Sequence, residues 1–423
     1  MSEWKEYKVS DLCHGIYDGP HATPEKTNHG PIFLGISNLC SGRIDLSDVD
    51  HLSEESFKKW TRRITPQAND VVFSYETRLG EAALIPDGLR CCLGRRMALM
   101  RPNLEKVDPQ FLLYVYLSPA FQETITARTI YGSTVNRIAL IEFPLYPIKV
   151  PSLKIQKSIS SILYNIDAKI DNLRRQNETL EEIARSIFKH WFIDFEFPNA
   201  DGKPYKSSGG AMVRSDLGDI PEGWRVATLN DCLSLIIDYR GKTPKKLDCD
   251  WSMEGIPALS AKNIKNGKIL VEQLVHFADE ALYQKWMKDE LQKGDILLTS
   301  EAPLGEVYYL ASDNKYILSQ RLFSLRTKKE FSSAYLYFWL RSPEGQNLIN
   351  RRATGSTVQG IRQSELRNVE VIIPKGEILE NASDLWMSIL EKIEANYQAI
   401  NIIIQTRDAL LPKLMSGQLR VKE

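Results

Sequence analysis

The sequence predicts an α/β (α+β) protein in which two similar globular units are separated by two long antiparallel coiled-coil helices. Three observations predict this fold class. A run without Pro or Gly extends from residue 153 to residue 197, a second apolar-periodic run follows Pro374, and an ordered set of short motifs occurs twice. Together they indicate a duplicated module with pseudo-twofold character, in which each copy holds one globular unit and one helix.

The first long helix is predicted from the spacing of apolar residues between Ile155 and Phe192. The steps between these residues are mostly three or four, which places them on one face of a helix. The predicted seam residues are Ile159, Ile162, Ile166, Ile170, Leu173, Leu180, Ile183 and Ile187. At 1.5 Å per residue the helix is ~55 Å long. Its length and one-sided seam call for a partner helix.

The second helix supplies that partner. Its apolar positions include Leu385, Ile389, Ile393 and Ile400, and the residues Lys392-Ile393-Glu394 repeat the pattern Lys169-Ile170-Asp171 of the first helix. Two helices with exposed apolar seams bury them by packing together. The alternative interpretation is two unrelated long helices.

The repeat extends through the rest of each copy at an offset of about 220–225 residues. Leu79-Gly80-Glu81 matches Leu304-Gly305-Glu306, and Gly132–Val135 (GSTV) recurs letter for letter at Gly355–Val358. The small drift of the offset indicates loop insertions within a duplicated framework.

These landmarks predict five segments. Residues 1–152 form the first globular unit, 153–196 the first helical spacer, 197–223 a linker, 224–376 the second globular unit, and 377–423 the second helical spacer. The linker is assigned from its Gly, Ser, Pro and Asp content, which is typical of an exposed strap rather than of a core.

Composition places the chain among ordinary globular proteins. It has 423 residues, 43% hydrophobic and 26% charged, with no long apolar run, so we expect no membrane span. The N-terminal stretch lacks the apolar core of a signal peptide, and the six cysteines form no CxxC pair, so we expect reduced thiols and a cytoplasmic location. The net charge of zero is unusual for a nucleic-acid binder, although charge can be segregated between faces.

Catalytic motifs are missing from the sequence. There is no GxxxxGK[ST] phosphate loop, no HExxH zinc motif and no GxSxG elbow. The Asp/Asn-Pro-Pro-aromatic stretch that amino-methyltransferases carry is also missing, since the sequence has no Pro-Pro pair. Asp70 and Asp295 are matched carboxylates, but each directly precedes an apolar strand, so a structural turn explains them better than catalysis. These observations favour a binding protein without catalytic residues or a cofactor of its own.

The candidate binding residues are polar and basic side chains near the repeated motifs. Arg and Lys with Ser or Thr hydroxyls next to glycine suit phosphate contacts, although a capped turn explains the GSTV motif equally well. The loops Asp18–Asn28 and Tyr239–Lys246 are punctuated by Gly or Pro and carry lysines that suit a groove. The candidates for DNA contact are Lys26, Arg78, Arg95, Arg96, Ser133, Thr134, Arg137, Arg240, Lys242, Thr243, Lys245, Arg321, Ser356, Thr357 and Arg362.

Three longer motifs carry a family resemblance that covers essentially the whole chain. The stretches SIFKHWFIDFEFP, GDIPEGW and LLPKLMSGQL, with the repeated GSTV, make the sequence resemble the specificity subunits of type I restriction-modification enzymes. The resemblance implies that each globular unit is a target recognition domain reading one half of a split site in double-stranded DNA. It implies that the helices space the half-sites and bind two methyltransferase subunits.

The resemblance also implies that chemistry belongs to partner subunits. AdoMet, ATP and Mg²⁺ are expected on the methyltransferase and restriction/translocase subunits only. Phe188, Trp191 and Phe192 at the end of the first helix are either a partner surface or packed beneath the adjacent globular unit. Other hypotheses are a coiled-coil scaffold protein without a DNA role and a stand-alone fused restriction enzyme, which the missing methylase and nuclease motifs disfavour.

Overall fold

The computed structural model describes residues 4–40, 42–133, 135–355 and 357–421. The chain divides into two compact units. The first contains residues 1–172 and 400–423, and the second contains residues 173–399. Both mix helices and strands, so the α/β (α+β) class and the duplication are confirmed.

The first unit is built mainly of short strands. Its strands are β1 (Lys5–Lys8), β2 (Cys13–Asp18), β3 (Thr27–Leu34), β4 (Leu39–Cys40), β5 (Arg43–Ile44), β6 (Asp50–His51), β7 (Val71–Ser74), β8 (Ala82–Leu84), β9 (Cys91–Leu93), β10 (Met97–Pro102), β11 (Thr129–Ile130), β12 (Arg137–Ile138) and β13 (Pro147–Val150). Its helices are α1 (Glu54–Trp60), α2 (Pro109–Leu117), α3 (Pro119–Ala127), the first part of α4 (Leu153–Phe188) and, from residue 400, the last part of α10 (Ile378–Met415).

The second unit repeats most of these elements. Its strands are β14 (Met212–Ser215), β15 (Gly218–Pro221), β16 (Arg225–Thr228), β17 (Leu233–Asp238), β18 (Ile256–Leu259), β19 (Ile264–Lys265), β20 (Lys268–Ile269), β21 (Phe277–Ala278), β22 (Ile296–Ser300), β23 (Leu304–Tyr309), β24 (Ile317–Leu318), β25 (Leu322–Thr327) and β26 (Glu370–Ile373). Its helices are the rest of α4, α5 (Leu229–Cys232), α6 (Glu280–Trp286), α7 (Ser333–Arg341), α8 (Pro343–Arg351), α9 (Gln363–Arg367) and α10 as far as residue 399.

The sheets of the two units have the same strand order. The main antiparallel sheet is β2-β10-β7-β8 in the first unit and β17-β25-β22-β23 in the second. A three-stranded sheet runs β6-β3-β9 in one and β21-β18-β24 in the other, each with one parallel pairing. The motif repeat in the sequence is therefore a repeat of topology.

A buried ion pair recurs at the start of the central strand of each main sheet. Asp70 accepts from Arg101 Nε and Nη2 at 2.9 and 2.7 Å, and Asp295 accepts from Arg326 Nε and Nη2 at 2.8 and 2.7 Å. Both carboxylates also accept a backbone N–H three residues earlier, from Gln67 and Gln292. The predicted structural turn is confirmed, and its arginine partner on the neighbouring strand was not foreseen.

The long helices pack antiparallel within each unit. In the first unit Ile155, Ile159 and Leu163 of α4 share a core with Leu414 of α10. In the same unit Asp167 Oδ1 lies 3.0 Å from Arg407 Nη1. Residue numbers therefore rise along α4 as they fall along α10, as the sequence predicted.

The second unit shows the same direction of packing, with a polar contact at its centre. Phe188 lies 5.5 Å from Trp386 between ring centroids, and Asn396 Nδ2 donates to Asn177 Oδ1 at 2.7 Å. Asn177 Nδ2 donates in turn to the Ile393 carbonyl at 3.2 Å. Both asparagines are buried, so this amide pair replaces an apolar layer in the seam.

The buried stripe differs from the predicted seam at some positions. Ile162 and Ile183, counted as seam residues, are 38% and 45% exposed. Leu163 and Ala184, one residue later in each case, are buried instead. Apolar residues occupy more than one face of the helix, so their spacing alone does not identify the face that packs.

The aromatic residues at the end of α4 pack within the second unit. Phe188 and Phe192 are buried against Tyr335 and Trp386, and a π-helical turn, Lys189–Ile193, extends α4 beyond Phe188. Packing beneath the globular unit is confirmed for these two, and a partner surface at them is wrong. Trp191 is only partly buried.

The segment assigned to a linker is folded. It contains the hairpin β14–β15, and Phe197 and Ile220 are buried in the core of the second unit, with Tyr205 packed against them. The mostly polar composition of this segment predicts an exposed linker, because its apolar residues are few and widely spaced. Phe197 stacks on Trp224 with 5.1 Å between the ring centroids, which attaches the segment to the second unit.

Two observations concern membranes and thiols. Within the described ranges, no helix combines the length and apolar content that crossing a lipid bilayer requires. All six cysteines are free.

The asparagine pair generates a stability prediction. Replacing Asn177 by Leu leaves the Asn396 amide buried without its acceptor, so we expect the free energy of unfolding to fall by about 1–3 kcal/mol. Replacing both asparagines by Leu should recover part of that loss, because no buried polar group then lacks a partner. Chemical denaturation of the full chain measures both, and Gln176→Leu at the exposed neighbouring position is the control, with a change within about 0.5 kcal/mol. An Asn177→Leu chain as stable as the control would contradict the prediction.

Candidate nucleic-acid interface

Each unit presents an arginine in a left-handed backbone conformation at the same repeated position. Arg96 (φ 74°) ends the turn between β9 and β10, and Arg321 (φ 63°) ends the turn between β24 and β25. A left-handed non-glycine residue costs roughly 1–2 kcal/mol. Such strain concentrates at functional sites, where the surrounding structure holds it in place.

A glutamate from the end of the central strand holds each of these arginines. Arg96 Nε lies 3.3 Å from Glu76 Oε2, and Arg321 Nε lies 3.1 Å from Glu301 Oε1. The backbone adds a second tie, because the Arg96 carbonyl accepts from Tyr75 N at 3.1 Å and the Arg321 carbonyl from Ser300 N at 2.8 Å. We call these two structures the arginine turns.

The GSTV loop of each unit is attached to its arginine turn. Ile138 N donates to the Tyr75 carbonyl at 2.8 Å, and Ile361 N donates to the Ser300 carbonyl at 2.9 Å. A Cβ atom at Gly355 (φ 118°) would collide with the Val358 carbonyl, so the motif requires glycine for a tight turn. The capped-turn interpretation therefore accounts for the glycine, and phosphate contact by the hydroxyls stays a prediction.

The first unit brings together most of its predicted residues. Arg95 and Arg96 lie on the arginine turn, and Ser133 and Arg137 lie in the attached GSTV loop and strand. Arg78 follows the same strand end and donates to Glu81 at 3.2 Å and to the Ile36 carbonyl at 3.3 Å.

One predicted residue of the first unit, Lys26, stands apart from this group. Lys26 pairs with Asp50 at 2.8 Å, and no described contact joins it to the arginine turn. Thr134 and Ser356 lie outside the described residues.

Tyr75 lies between the first arginine turn and the loop that follows β2. Its ring lies 6.3 Å from that of His21, whose Nε2 is 3.2 Å from Asp18. Burial, with the charges of Glu76 and Asp18, raises the pKa of Tyr75 to about 12. The loop that follows β2 therefore borders the turn, and the use of the Asp18–Asn28 loop as a groove for a ligand stays a prediction.

In the second unit two of the predicted cations have structural partners. Arg240 donates through Nε and Nη2 to Asp238 at 2.8 and 2.7 Å, with its guanidinium 4.2 Å from the Phe323 ring centroid. Lys242 Nζ donates to the Trp286 carbonyl at 2.7 Å, and burial lowers its pKa. Both side chains shape the loop, which leaves fewer of their donors for a ligand.

A groove of about 230 Å³ lies beside these residues. It is lined by Lys242, Thr243, Pro244, Lys245, Asp250, Trp251, Ser319 and Gln320. Trp251 stacks on His276 with 5.2 Å between ring centroids. The groove thus offers cations, a carboxylate, an amide and a flat aromatic wall next to Arg321.

Sequence reasoning missed four lining residues of this groove: Asp250, Trp251, Ser319 and Gln320. For Gln320 a signal existed, because it directly precedes Arg321 and matches Arg95 in the repeat. The other two predicted residues of this unit, Thr357 and Arg362, are exposed, and Arg362 precedes α9.

The described residues include no group of three or more His, Cys, Asp or Glu side chains placed to hold a metal ion. The arrangement in both units is instead a strained, braced arginine surrounded by exposed polar loops. Such a surface can contact phosphates through its cations and base edges through its mixed donors and acceptors.

Comparison with known families gives a match over most of the chain. A family model described as "Type I restriction modification DNA specificity domain" matches residues 1–182 and 221–405. The two matched segments start near the beginning of the two copies found in the sequence.

Two relatives align along most of the chain. The type I restriction enzyme MjaIX specificity subunit of Methanocaldococcus jannaschii is 28% identical over 389 residues, covering 88% of this chain and 82% of the relative. The type I restriction enzyme HindI specificity subunit of Haemophilus influenzae is 23% identical over 480 residues, covering 99% of this chain and 100% of the relative.

A solved structure shares the fold. The S subunit of a type I restriction-modification system from M. genitalium superposes with a TM-score of 0.60 at 14% identity, covering 98% of this chain and 96% of that chain. This likeness concerns the fold alone.

The left-handed turn generates a prediction about stability. Arg321→Gly should leave the free energy of unfolding within about 1 kcal/mol of the unmodified chain, because glycine accepts φ > 0 and a half-exposed ion pair contributes little. Arg321→Val should lower it by a further 1–2 kcal/mol or so, because a branched side chain is strained there. Thermal and chemical denaturation measure both variants. Equal stabilities for the Gly and Val variants would show that the turn relaxes away from this conformation.

Proposed function

The chain belongs to the type I restriction-modification DNA specificity family, and we propose that it is the sequence-recognition subunit of a type I restriction-modification complex. In this role it reads a bipartite, asymmetric site in double-stranded DNA, with one globular unit for each half-site. Its long helices serve as the docking surface for methyltransferase subunits.

The observation that carries this proposal is the arginine turn built twice on one framework with unlike surroundings. Strand order, bracing glutamate and left-handed arginine are the same in both units. The bordering loops differ, with His21 and Asp18 near one turn and Lys245 and Trp251 near the other. Two equivalent frames with different loops suit two half-sites of different sequence.

The charge distribution supports a DNA-facing surface despite the neutral total. The chain carries 54 basic and 54 acidic residues, and exposed cations lie near both arginine turns: Arg95 on the first, and Lys245 in the groove beside the second. Cations in such loops neutralise phosphates and release counterions, which favours binding and makes it salt-dependent. In a complex, methyltransferase subunits would add to the positive surface around the DNA.

The helices support docking through apolar side chains left in solvent. Ile162 and Tyr164 of α4 are 38% and 56% exposed in the first unit, and Ile183 of α4 and Leu385 of α10 are 45% and 43% exposed in the second. Exposed apolar side chains on the outer faces of paired helices are the kind of surface that a partner helix or groove covers.

The proposal assigns no chemistry to this chain. Methyl transfer with AdoMet belongs to the methyltransferase subunits. ATP- and Mg²⁺-dependent translocation and cleavage belong to the restriction subunits. The complex works on DNA in the cytoplasm, and the chain requires no cofactor of its own.

The decisive experiment is methylome sequencing of cells that carry this chain together with its methyltransferase subunits. We expect one two-part motif with adenine methylated in both halves, and its disappearance when the chain is deleted. A gel-shift of the assembled complex on that motif separates this function from a scaffold role without DNA. No motif, and no DNA shift, from an assembled complex would refute the proposal.

The arginine turns generate a binding prediction. Arg96→Gly and Arg321→Gly should each weaken DNA binding about tenfold, or ~1.4 kcal/mol, uniformly over sequences, because each removes one phosphate contact. The slope of log affinity against log salt should fall in magnitude by about 1 for each variant. Fluorescence anisotropy over a salt series measures both quantities. The exposed Lys329→Ala in the second unit is the control, and an equal loss there would show a nonspecific charge effect.

The exposed helix faces generate a docking prediction. Ile183→Asp and Leu385→Asp should lower the amount of methyltransferase subunit that co-purifies with the chain by at least about tenfold, because a charge replaces apolar contact area. Stability should change by less than about 0.5 kcal/mol, since both side chains are partly in solvent. Gln176→Asp, exposed on the same helix as Ile183, is the matched control. Unchanged co-purification of both variants would place the docking surface elsewhere.

A further inference from the structure

We infer that Arg95 and Gln320 are equivalent base-reading residues, and that Arg95 selects guanine in one half-site while Gln320 selects adenine in the other. This inference rests on the proposed function and goes beyond it by assigning a base to a residue in each unit. It follows from the position of the two side chains, their availability and their chemistry.

The two positions are equivalent in the structure as well as in the sequence. Each residue immediately precedes the left-handed arginine of its unit. The residue before each is held in the same way, because Gly94 N donates to the Leu34 carbonyl at 2.7 Å and Ser319 N donates to the Leu259 carbonyl at 2.8 Å. The same parallel strand pair, β3 with β9 and β18 with β24, supplies these bonds. Arg95 and Gln320 therefore occupy equivalent positions on the same backbone framework.

The two side chains make no tie to the rest of the described chain, whereas the arginines that follow them are braced through Nε and keep Nη donors for a phosphate. Arg95 and Gln320 are exposed, and neither side chain makes a hydrogen bond or ion pair with another described residue. Arg96 and Arg321 are engaged with Glu76 and Glu301. The rigid arginine turn thus carries one braced side chain and one free side chain in each unit.

The chemistry of the free side chains differs in the way that base recognition requires. An arginine donates two hydrogen bonds to O6 and N7 of guanine in the major groove. The glutamine side-chain oxygen accepts a hydrogen bond from N6 of adenine, and its nitrogen donates one to N7. Only the carboxamides of glutamine and asparagine offer this acceptor and donor side by side. The same position therefore specifies a G·C pair from one unit and an A·T pair from the other.

The groove around Gln320 suits base edges better than the phosphate backbone. Asp250 lines it beside Lys245, and a carboxylate repels phosphate while it accepts hydrogen bonds from base amino groups. Trp251 forms a flat wall, fixed by stacking on His276. A surface that served phosphate alone would gain nothing from a carboxylate and an amide.

The test exchanges the two residues in the full chain, assembled with its methyltransferase subunits. Each complex selects duplexes from a library of fully randomised double-stranded DNA, and sequencing gives the preferred base at every position. Gln320→Arg should change one adenine to guanine in one half of the wild-type motif. Arg95→Gln should change one guanine to adenine in the other half.

Alanine substitutions at the same two positions keep the test decisive if an exchanged side chain disturbs folding. Gln320→Ala and Arg95→Ala should each reduce discrimination at the same single position roughly 5- to 150-fold, with all other positions unchanged. Lys329→Gln is the control and should leave every position unchanged.

The outcomes separate this inference from the function on which it rests. If the wild-type complex selects a two-part motif but none of the four variants alters a base preference, the inference is overturned and the proposed function stands. A uniform loss of affinity across all sequences would assign the residues to phosphate and also overturn the inference. A wild-type complex that selects no two-part motif overturns both.

Discussion

Each globular unit depends on one carboxylate that is removed from water at the start of its central strand. Asp70 and Asp295 are each 1% exposed, and a buried carboxylate without a partner is strongly destabilising. The arginine that neutralises each one lies on the adjacent strand, so the two-pronged contact also sets the register of the central pair. The far end of that strand pair supplies the braced arginine and its glutamate. The geometry of the binding surface is therefore anchored by a contact at the opposite end of the same two strands.

Much of this architecture could be predicted from the sequence, because the two copies of the duplicated module still share short motifs in the same order. Repeated landmarks such as Leu79-Gly80-Glu81 and Leu304-Gly305-Glu306 predicted two copies, and uninterrupted apolar periodicity predicted two long antiparallel helices. The packing face was harder to predict. Ile162 and Leu163 are both apolar neighbours, and only the position of the second helix decides which one is buried. The folded segment around Phe197 was hidden by its polar composition for a similar reason.

The binding surface was predicted less well than the fold, since exposure and partners decide which cation is free. Arg240 and Lys242 looked like ligand contacts in a basic loop, yet Asp238 and the Trp286 carbonyl occupy their donors. Gln320 carries no charge, so the pattern of basic residues in the sequence does not point to it. A left-handed backbone at Arg96 and Arg321 has no signature in the letters themselves. The repeat does show which positions of the two units are equivalent. It therefore shows that Arg95 and Gln320, which differ in chemistry, occupy the same place in the two units.

The division of the chain into units has a consequence for its synthesis. The second unit is continuous in sequence, whereas the first is completed only by residues 400–423, with Leu414 buried in its core. A ribosome synthesises the chain from its N-terminus, so the first unit lacks part of its interior until residues 400–423 follow the whole of the second unit. The later unit can close while the earlier one still exposes apolar surface. The first unit is therefore completed after the second, although its synthesis starts earlier. Residues 1–172 consequently need protection from aggregation for longer than the second unit does.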